Sequence, residues 1–325
     1  MNAPVESLNH PPVGSSRMLA VLALVIPFFL GAALHLSAVF KIFSVLPLIF
    51  VFLRFGRAVG ILASISNLAI VWLLLGRTEA AWFFVLGMVF AITVSECVRL
   101  KLRPEWVVLS ATGMLLLAAV MLLMSYSHRS HKGPIELVVS YVSSEVDEFI
   151  RGAERYREST VVTSRFSSQD LEKMLADPEM TKRNILEAAP SVILISLLYT
   201  VVANLLLLLR LNVQNIRDAL GLDAEFFKRW KAPDHMVWPT LAAGFCLVIE
   251  IPAVSAVALN LFRVLMAVYL LQGLAIMAAL FESWKIKGAF RPLGYALAVT
   301  FLLPLVVSLG FFDLWFSFRE RIGAA

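Results

Sequence analysis

The chain has 325 residues, 60% of them hydrophobic and only 16% charged, with a mean hydropathy of +0.83. That leaves too little polar surface to coat a soluble globule of this size, so the bilayer must be the solvent for most of it. The excess of 28 Lys and Arg over 23 Asp and Glu sits in short loops beside apolar runs, as expected for contact with anionic head groups. No interleaving of aromatic and basic residues of the RNA-binding kind occurs, and nucleic acid is not an expected partner.

An all-α fold follows, a polytopic transmembrane helical bundle of about nine spans, since each crossing needs about 17 to 25 mostly apolar residues. Residues 1–17 read as a cytoplasmic leader ahead of a retained anchor, because the first apolar run exceeds the roughly 7 to 15 residues of a signal core. Spans 1–5 fall within residues 18–126, as runs 18–36, 37–53, 58–75, 80–97 and 104–124. The second reaches spanning length only if Lys41 snorkels toward an interface, and without it the count is eight. Gly56, Gly60 and Ser64 form a small-x-x-x-small row suited to close helix approach.

Residues 127–187 form a polar, extracytoplasmic helical insert. After Gly133-Pro134, the positions Ile135, Val139, Val142, Val146, Phe149, Ala153 and Tyr156 recur at heptad spacing, which predicts an amphipathic helix over 135–156. Its stripe either packs on a shorter helix near 169–176 or the membrane surface, or serves as a seam for self-association or a membrane partner. His128 and His131 share a loop with Arg129 and Lys132, a poor metal site, and no metal is assigned.

Spans 6–9 fall within residues 188–316, as runs 188–209, a hairpin over 236–281 turning at Pro252, and 292–312. Residues 317–325 form a tail. Outside the insert, fourteen Lys and Arg gather in the loops of one face and four, Lys41, Arg77, Arg319 and Arg321, on the other. The positive-inside rule then places the amino terminus in the cytoplasm and the insert and tail outside. Cys97 and Cys246 lie within spans, far apart, and read as buried small side chains.

No Walker loop, H-E-x-x-H, C-x-x-C or G-x-S-x-G is present, so no enzyme activity and no cofactor is expected. The candidate chemistry lies in polar residues at membrane depth, each of which needs a partner or a cavity. Glu250 and Arg263 flank the hairpin turn at similar expected depths and can neutralise each other or face a ligand. With Asn260 and His35 they form the candidate ligand-binding set, opening outward. Asn67, Asn204 and Gln272 sit at mid-span, where interhelical hydrogen bonds are the first expectation.

The string Phe227-x-x-Trp230-x-Ala232-Pro233-x-x-x-Val237-Trp238-Pro239, with Asn260 and Tyr269-Leu270-Leu271-Gln272-Gly273-Leu274-Ala275, resembles the YybS-like family of uncharacterised bacterial membrane proteins. Pro47-Leu48, Leu53-Arg54-Phe55-Gly56 and Gly60 fit its amino-terminal half. The resemblance implies a bacterial cytoplasmic (inner) membrane protein. That family is remotely similar to the substrate-binding S components of energy-coupling factor transporters, which implies a transporter-like subunit with an outward ligand pocket. The chain departs from those six-helix proteins in its extra spans and insert, and Ala23, Pro27 and Gly31 only approximate their Ala-x-x-x-Ala docking row. The alternative expectation is a non-catalytic scaffold or regulatory protein acting through the insert and the basic loops.

Overall fold

The computed structural model describes residues 13–37, 40–159, 177–210, 226–249 and 252–323. Among these, every regular element is helical, and the chain forms two compact units, residues 1–122 with 198–222 and residues 123–197 with 223–325.

The first unit contains α1 (Val13–Leu36), a 3-10 turn at Lys41–Phe43, α2 (Val45–Phe55), α3 (Arg57–Phe83) and α4 (Phe90–Arg99), with a π turn at Phe84–Val89 between the last two. The run expected to be the second span yields only the 11-residue α2, about 16 Å long and half a hydrocarbon layer. Its Val45, Leu48, Ile49 and Val51 are fully buried in protein rather than facing lipid. Lys41 does not snorkel. Its Nζ donates to Glu79 Oε2 at 2.5 Å.

Gly56, with φ +93°, ends α2 and turns the chain into α3. The small row then performs the close approach expected of it, because a Cβ on Gly60 would lie 2.3 Å from the Phe52 ring. Ser64 Oγ donates back to the Gly60 carbonyl at 2.9 Å.

Residues Arg57–Arg99 make a helical run of 43 residues, which if straight would measure about 64 Å, twice the hydrocarbon thickness. It is not straight. Arg57 Nε reaches Glu96 Oε1 at 2.7 Å across 39 residues, so the chain reverses, and Gly76 at φ 85° and ψ −174° supplies the break. Only glycine adopts that backbone readily. The reversal falls between the expected runs 58–75 and 80–97. It gathers Arg57, Glu96 and Arg99 at one end of the unit and His35, Lys41 and Glu79 in another cluster.

Long helices α5 (Pro104–Ser130) and α7 (Pro178–Arg210) follow, with α6 (Pro134–Ser159) between them in sequence. In α6 the buried positions are Val146 and Ile150, whereas Ile135, Val139 and Phe149 are exposed. The heptad stripe is thus covered only in part, at Val146, with Val142 half-buried. Beside it Lys182, at the start of α7, pairs with Asp147 at 2.8 Å. The expected helix near 169–176 lies outside the described residues.

The second unit also holds α8 (Phe226–Arg229), α9 (Val237–Val248), α10 (Pro252–Ser283), α11 (Phe290–Phe301), α12 (Leu303–Phe316) and α13 (Phe318–Gly323). Helices α9 and α10 form an antiparallel hairpin. Gly244 faces Phe262, the Ala232 amide meets Gln272, and Lys228 pairs with Glu282. Pro252 opens α10, where its missing N–H costs nothing. The two helices thus end and begin around the expected turn at Pro252.

The run expected as the last span is broken. Helices α11 and α12 meet at 98°, just before Pro304, whose ring disfavours a continuous helix. Helix α12 crosses α10 backbone to backbone, since a Cβ on Gly310 would lie 1.9 Å from the Tyr269 carbonyl oxygen and one on Gly273 2.0 Å from that of Val306. Ser317, left-handed at φ 44°, then turns the chain. Arg319 Nη1 donates to the Trp230 and Lys228 carbonyls at 2.6 and 3.1 Å. The tail was expected on the face opposite residues 228–231, but the left-handed turn at Ser317 returns it to them.

Among the described residues, four helical runs are long and apolar enough to cross a membrane, Arg57–Arg99 with its reversal at Gly76, Pro104–Ser130, Pro178–Arg210 and Val254–Ser283, or five with the bent pair. The nine expected runs thus resolve into long helices interspersed with short ones, α2 and α9 having 11 and 12 residues. The α10–α12 crossing sets a first prediction. Gly310→Ala should destabilise the detergent-solubilised protein by about 1 to 3 kcal/mol or more through overpacking, whereas Gly113→Ala, which meets nothing within 4 Å, should leave the thermal midpoint unchanged.

Candidate functional site

Lipid offers no hydrogen bonds, so an amide at membrane depth must find its partners inside the protein. Asn67 and Asn260 do so in the same way. Asn67 Oδ1 accepts from the Ala32 amide at 2.5 Å, while Nδ2 donates to the carbonyls of Phe28 at 2.5 Å and Ala63 at 2.7 Å. In an undisturbed helix Ala32 N–H and Phe28 C=O would be each other's partners. The side chain is thus a peptide group laid against α1, one residue after Pro27. Gly31 makes room, because a Cβ there would stand 3.0 Å from Asn67 Oδ1.

Asn260 repeats the device on α7. Its Oδ1 accepts from the Ser191 amide at 3.0 Å, and Nδ2 donates to the carbonyls of Glu187 and of Ala256, each at 2.9 Å. Ser191 and Glu187 are again an i,i−4 pair, beside Pro190. Asn204 donates to the carbonyls of Thr200 and Ile42 at 2.8 and 3.0 Å, leaving Oδ1 buried without a partner. The expectation of interhelical bonding therefore describes the geometry of Asn67 and Asn204, and Asn260 shares it.

Gln272 Oε1 accepts from the Ala232 amide at 3.0 Å, and its Nε2 donates to Asp313 Oδ2 at 3.1 Å. Arg319 Nη2 reaches the same oxygen at 2.6 Å, while Asp313 Oδ1 is buried with no partner. Reading the sequence missed this acid because the expected span stopped at Phe312. The signal was present, since the apolar run resumes through Leu314, Trp315 and Phe316.

The four candidate ligand residues fare differently. His35 is buried in the first unit, where its Nε2 lies 3.2 Å from Glu79 Oε2 and its ring stands edge-on to Phe83. A carboxylate only accepts, so Nε2 carries the proton. Glu79 escaped notice because it fell in the short link between two expected spans. Glu250 lies outside the described residues. Asn260 has its acceptor and both donor positions engaged, as above. Arg263 differs, because its Nη1 is buried and has no hydrogen-bond partner. It lies 11 residues into α10, about 16 Å from the helix start. The described structure therefore does not assemble the four into one pocket, and His35 belongs to a different unit from Asn260 and Arg263.

A second orphan on α10 was not expected from the sequence. Ser255 Oγ is also buried without a partner. At 100° per residue, taking Ser255 as the origin, Arg263 points to about 80°, Asn260 to about 140° and Phe262 to about −20°. Asn260 marks the direction of α7, and Phe262 marks that of α9 through Gly244. Ser255 and Arg263 therefore share the arc between α7 and α9. Ala256 and Leu259 on that arc are exposed, so no described element covers it.

A family model described as "Predicted membrane protein (DUF2232)" matches residues 18–314. The chain belongs to this family. This member of the DUF2232 family is a multi-pass membrane-embedded protein, which agrees with its long apolar helices. No curated protein and no solved structure matches it. The match spans both units and includes the asparagine devices, the Gln272 and Asp313 contact and the α10 arc.

Asn260→Ala should remove the side-chain bonds to the Ser191 amide and the Glu187 carbonyl beside Pro190 and cost about 1 to 3 kcal/mol. Hydrogen exchange checks it directly, since the Ser191 amide should exchange faster in the variant while amides of α4 keep their protection.

Proposed function

We propose that the protein is a non-catalytic, transporter-type membrane subunit that takes a small ligand into the α7–α9–α10 groove. The groove opens on the extracytoplasmic side of a bacterial inner membrane, with the amino terminus in the cytoplasm. One observation carries the reading: Ser255 Oγ and Arg263 Nη1, both buried and both without a partner, face a single open arc of α10. Buried polar groups are nearly always satisfied in a folded protein, so such orphans call for water or a ligand. A charge at mid-helix costs about 2.5 to 3.5 kcal/mol on insertion scales, a cost that a bound partner offsets. The break between α9 and α10 suits this role, because discontinuous helices build the sites of many transporters. The remote likeness to S components points the same way.

The test is accessibility. With Cys97 and Cys246 replaced by alanine, Ser255→Cys should react with a membrane-impermeant maleimide added to intact spheroplasts. Labelling confined to inside-out vesicles, or none from either side, would overturn the reading.

A scaffold role is the second reading, favoured by Ile135 and Phe149, which stand 79% and 55% exposed on α6. If contact through α6 is the protein's business, Phe149→Glu should abolish crosslinking of α6 to its partner in membranes. An undiminished crosslink would count against it.

A further inference from the structure

We infer that the ligand of the α10 groove carries a negative charge, a carboxylate or phosphate group held by Arg263. This rests on the groove reading above and adds the chemical class. The argument is one of counter-charge. The helices that flank the groove contain three described acidic side chains, and every one is engaged by a base. Glu179 lies 2.9 Å from Lys182, Glu187 3.0 Å from Arg183, and Glu282 is paired with Lys228. Helix α9 has no acidic side chain, its sequence being VWPTLAAGFCLV. None of these acids is left for Arg263, and no salt bridge to Arg263 occurs among the described residues.

A guanidinium cannot shed its proton under ordinary conditions, so it cannot escape the cost of burial by neutralising itself. It needs an anion. Its planar fork matches the two oxygens of a carboxylate or phosphate, and Nη1 is one tine of that fork. Ser255 Oγ, which both donates and accepts, lies on the same arc eight residues earlier, about 12 Å away along the axis. An anionic head at Arg263 with a polar body extending toward Ser255 satisfies both orphans. Asn260 supplies no further bond, since its amide is already occupied by α7.

Two sources can offer this chemistry, a dissolved anion or the phosphate of a lipid, and the experiment separates them. Purified full-length protein in neutral detergent is heated with inorganic phosphate, acetate, choline or a neutral sugar, and separately after transfer to phosphatidylcholine nanodiscs with and without phosphatidylglycerol. The expected result is a rise of several degrees in the thermal midpoint with phosphate or acetate, lost in Arg263→Gln and partly kept in Arg263→Lys. A rise seen only with phosphatidylglycerol, and lost in the same variant, assigns the anion to lipid and upholds the inference.

Equal shifts in wild type and Arg263→Gln, or no shift with any anion, overturn it. A shift with the sugar or choline that disappears in Ser255→Ala leaves the groove as a binding site but removes the anionic class. Glu250→Gln covers the remaining arrangement. If it lowers the midpoint as much as Arg263→Gln and the double variant loses no more, the chain neutralises its own arginine and the inference fails.

Discussion

An amide side chain inside a bilayer has no water to pair with, and two asparagines of this protein meet that constraint by binding the main chain of a neighbouring helix. Asn67 does so against α1 and Asn260 against α7. Each side chain presents an acceptor and donors in a plane, as a peptide group does, and so meets both an N–H and a C=O one turn apart on the helix it grips. Each gripped helix contains a proline nearby, Pro27 in α1 and Pro190 in α7. The third donor contact in each case, to the residue four places back, locks the asparagine rotamer against its own helix.

These clamps shape what the two units can do. In the first, short α2 is buried between longer helices, and the reversal at Gly76 lets ion pairs gather near the helix ends. Polar groups there are consumed by one another, His35 with Glu79 and Lys41, and Arg99 with Glu96 and the Phe52 carbonyl. In the second unit, the crossing of α10 and α12 at Gly273 and Gly310 fixes Gln272 beside Asp313. That part is closed and paired except at one carboxylate oxygen. The earlier half of α10 is left with Ser255 Oγ and Arg263 Nη1 buried without partners, as Ser95 Oγ and Thr112 Oγ1 are in the first unit.

Much of this was legible in the sequence because hydropathy reports membrane burial and small-residue spacing reports close approach. The helical membrane class, the close contact at Gly60 and the hairpin at Pro252 follow from those signals. Segment 37–53 misled because an apolar run buried by protein looks the same as one buried by lipid. On α6 the periodicity marked an apolar face without saying what covers it, and in the described residues only Val146 of that face is buried. Among candidate site residues, residue type identified Asn67, Asn204, Asn260, Arg263 and Gln272 as needing partners. It could not show which of them had found one, because a partner such as the Phe28 carbonyl carries no mark in the sequence. Asp313 and Glu79 were hidden by where span boundaries were drawn.

The asparagine clamps touch only main chain on the helices they hold, at positions 28, 32, 187 and 191. Recognition of this kind is indifferent to the identity of the residue gripped and intolerant of change in the gripping one. Deamidation to aspartate would exchange an NH2 for an oxygen and set lone pairs against two carbonyls, so a change of one functional group would turn a clasp into a wedge.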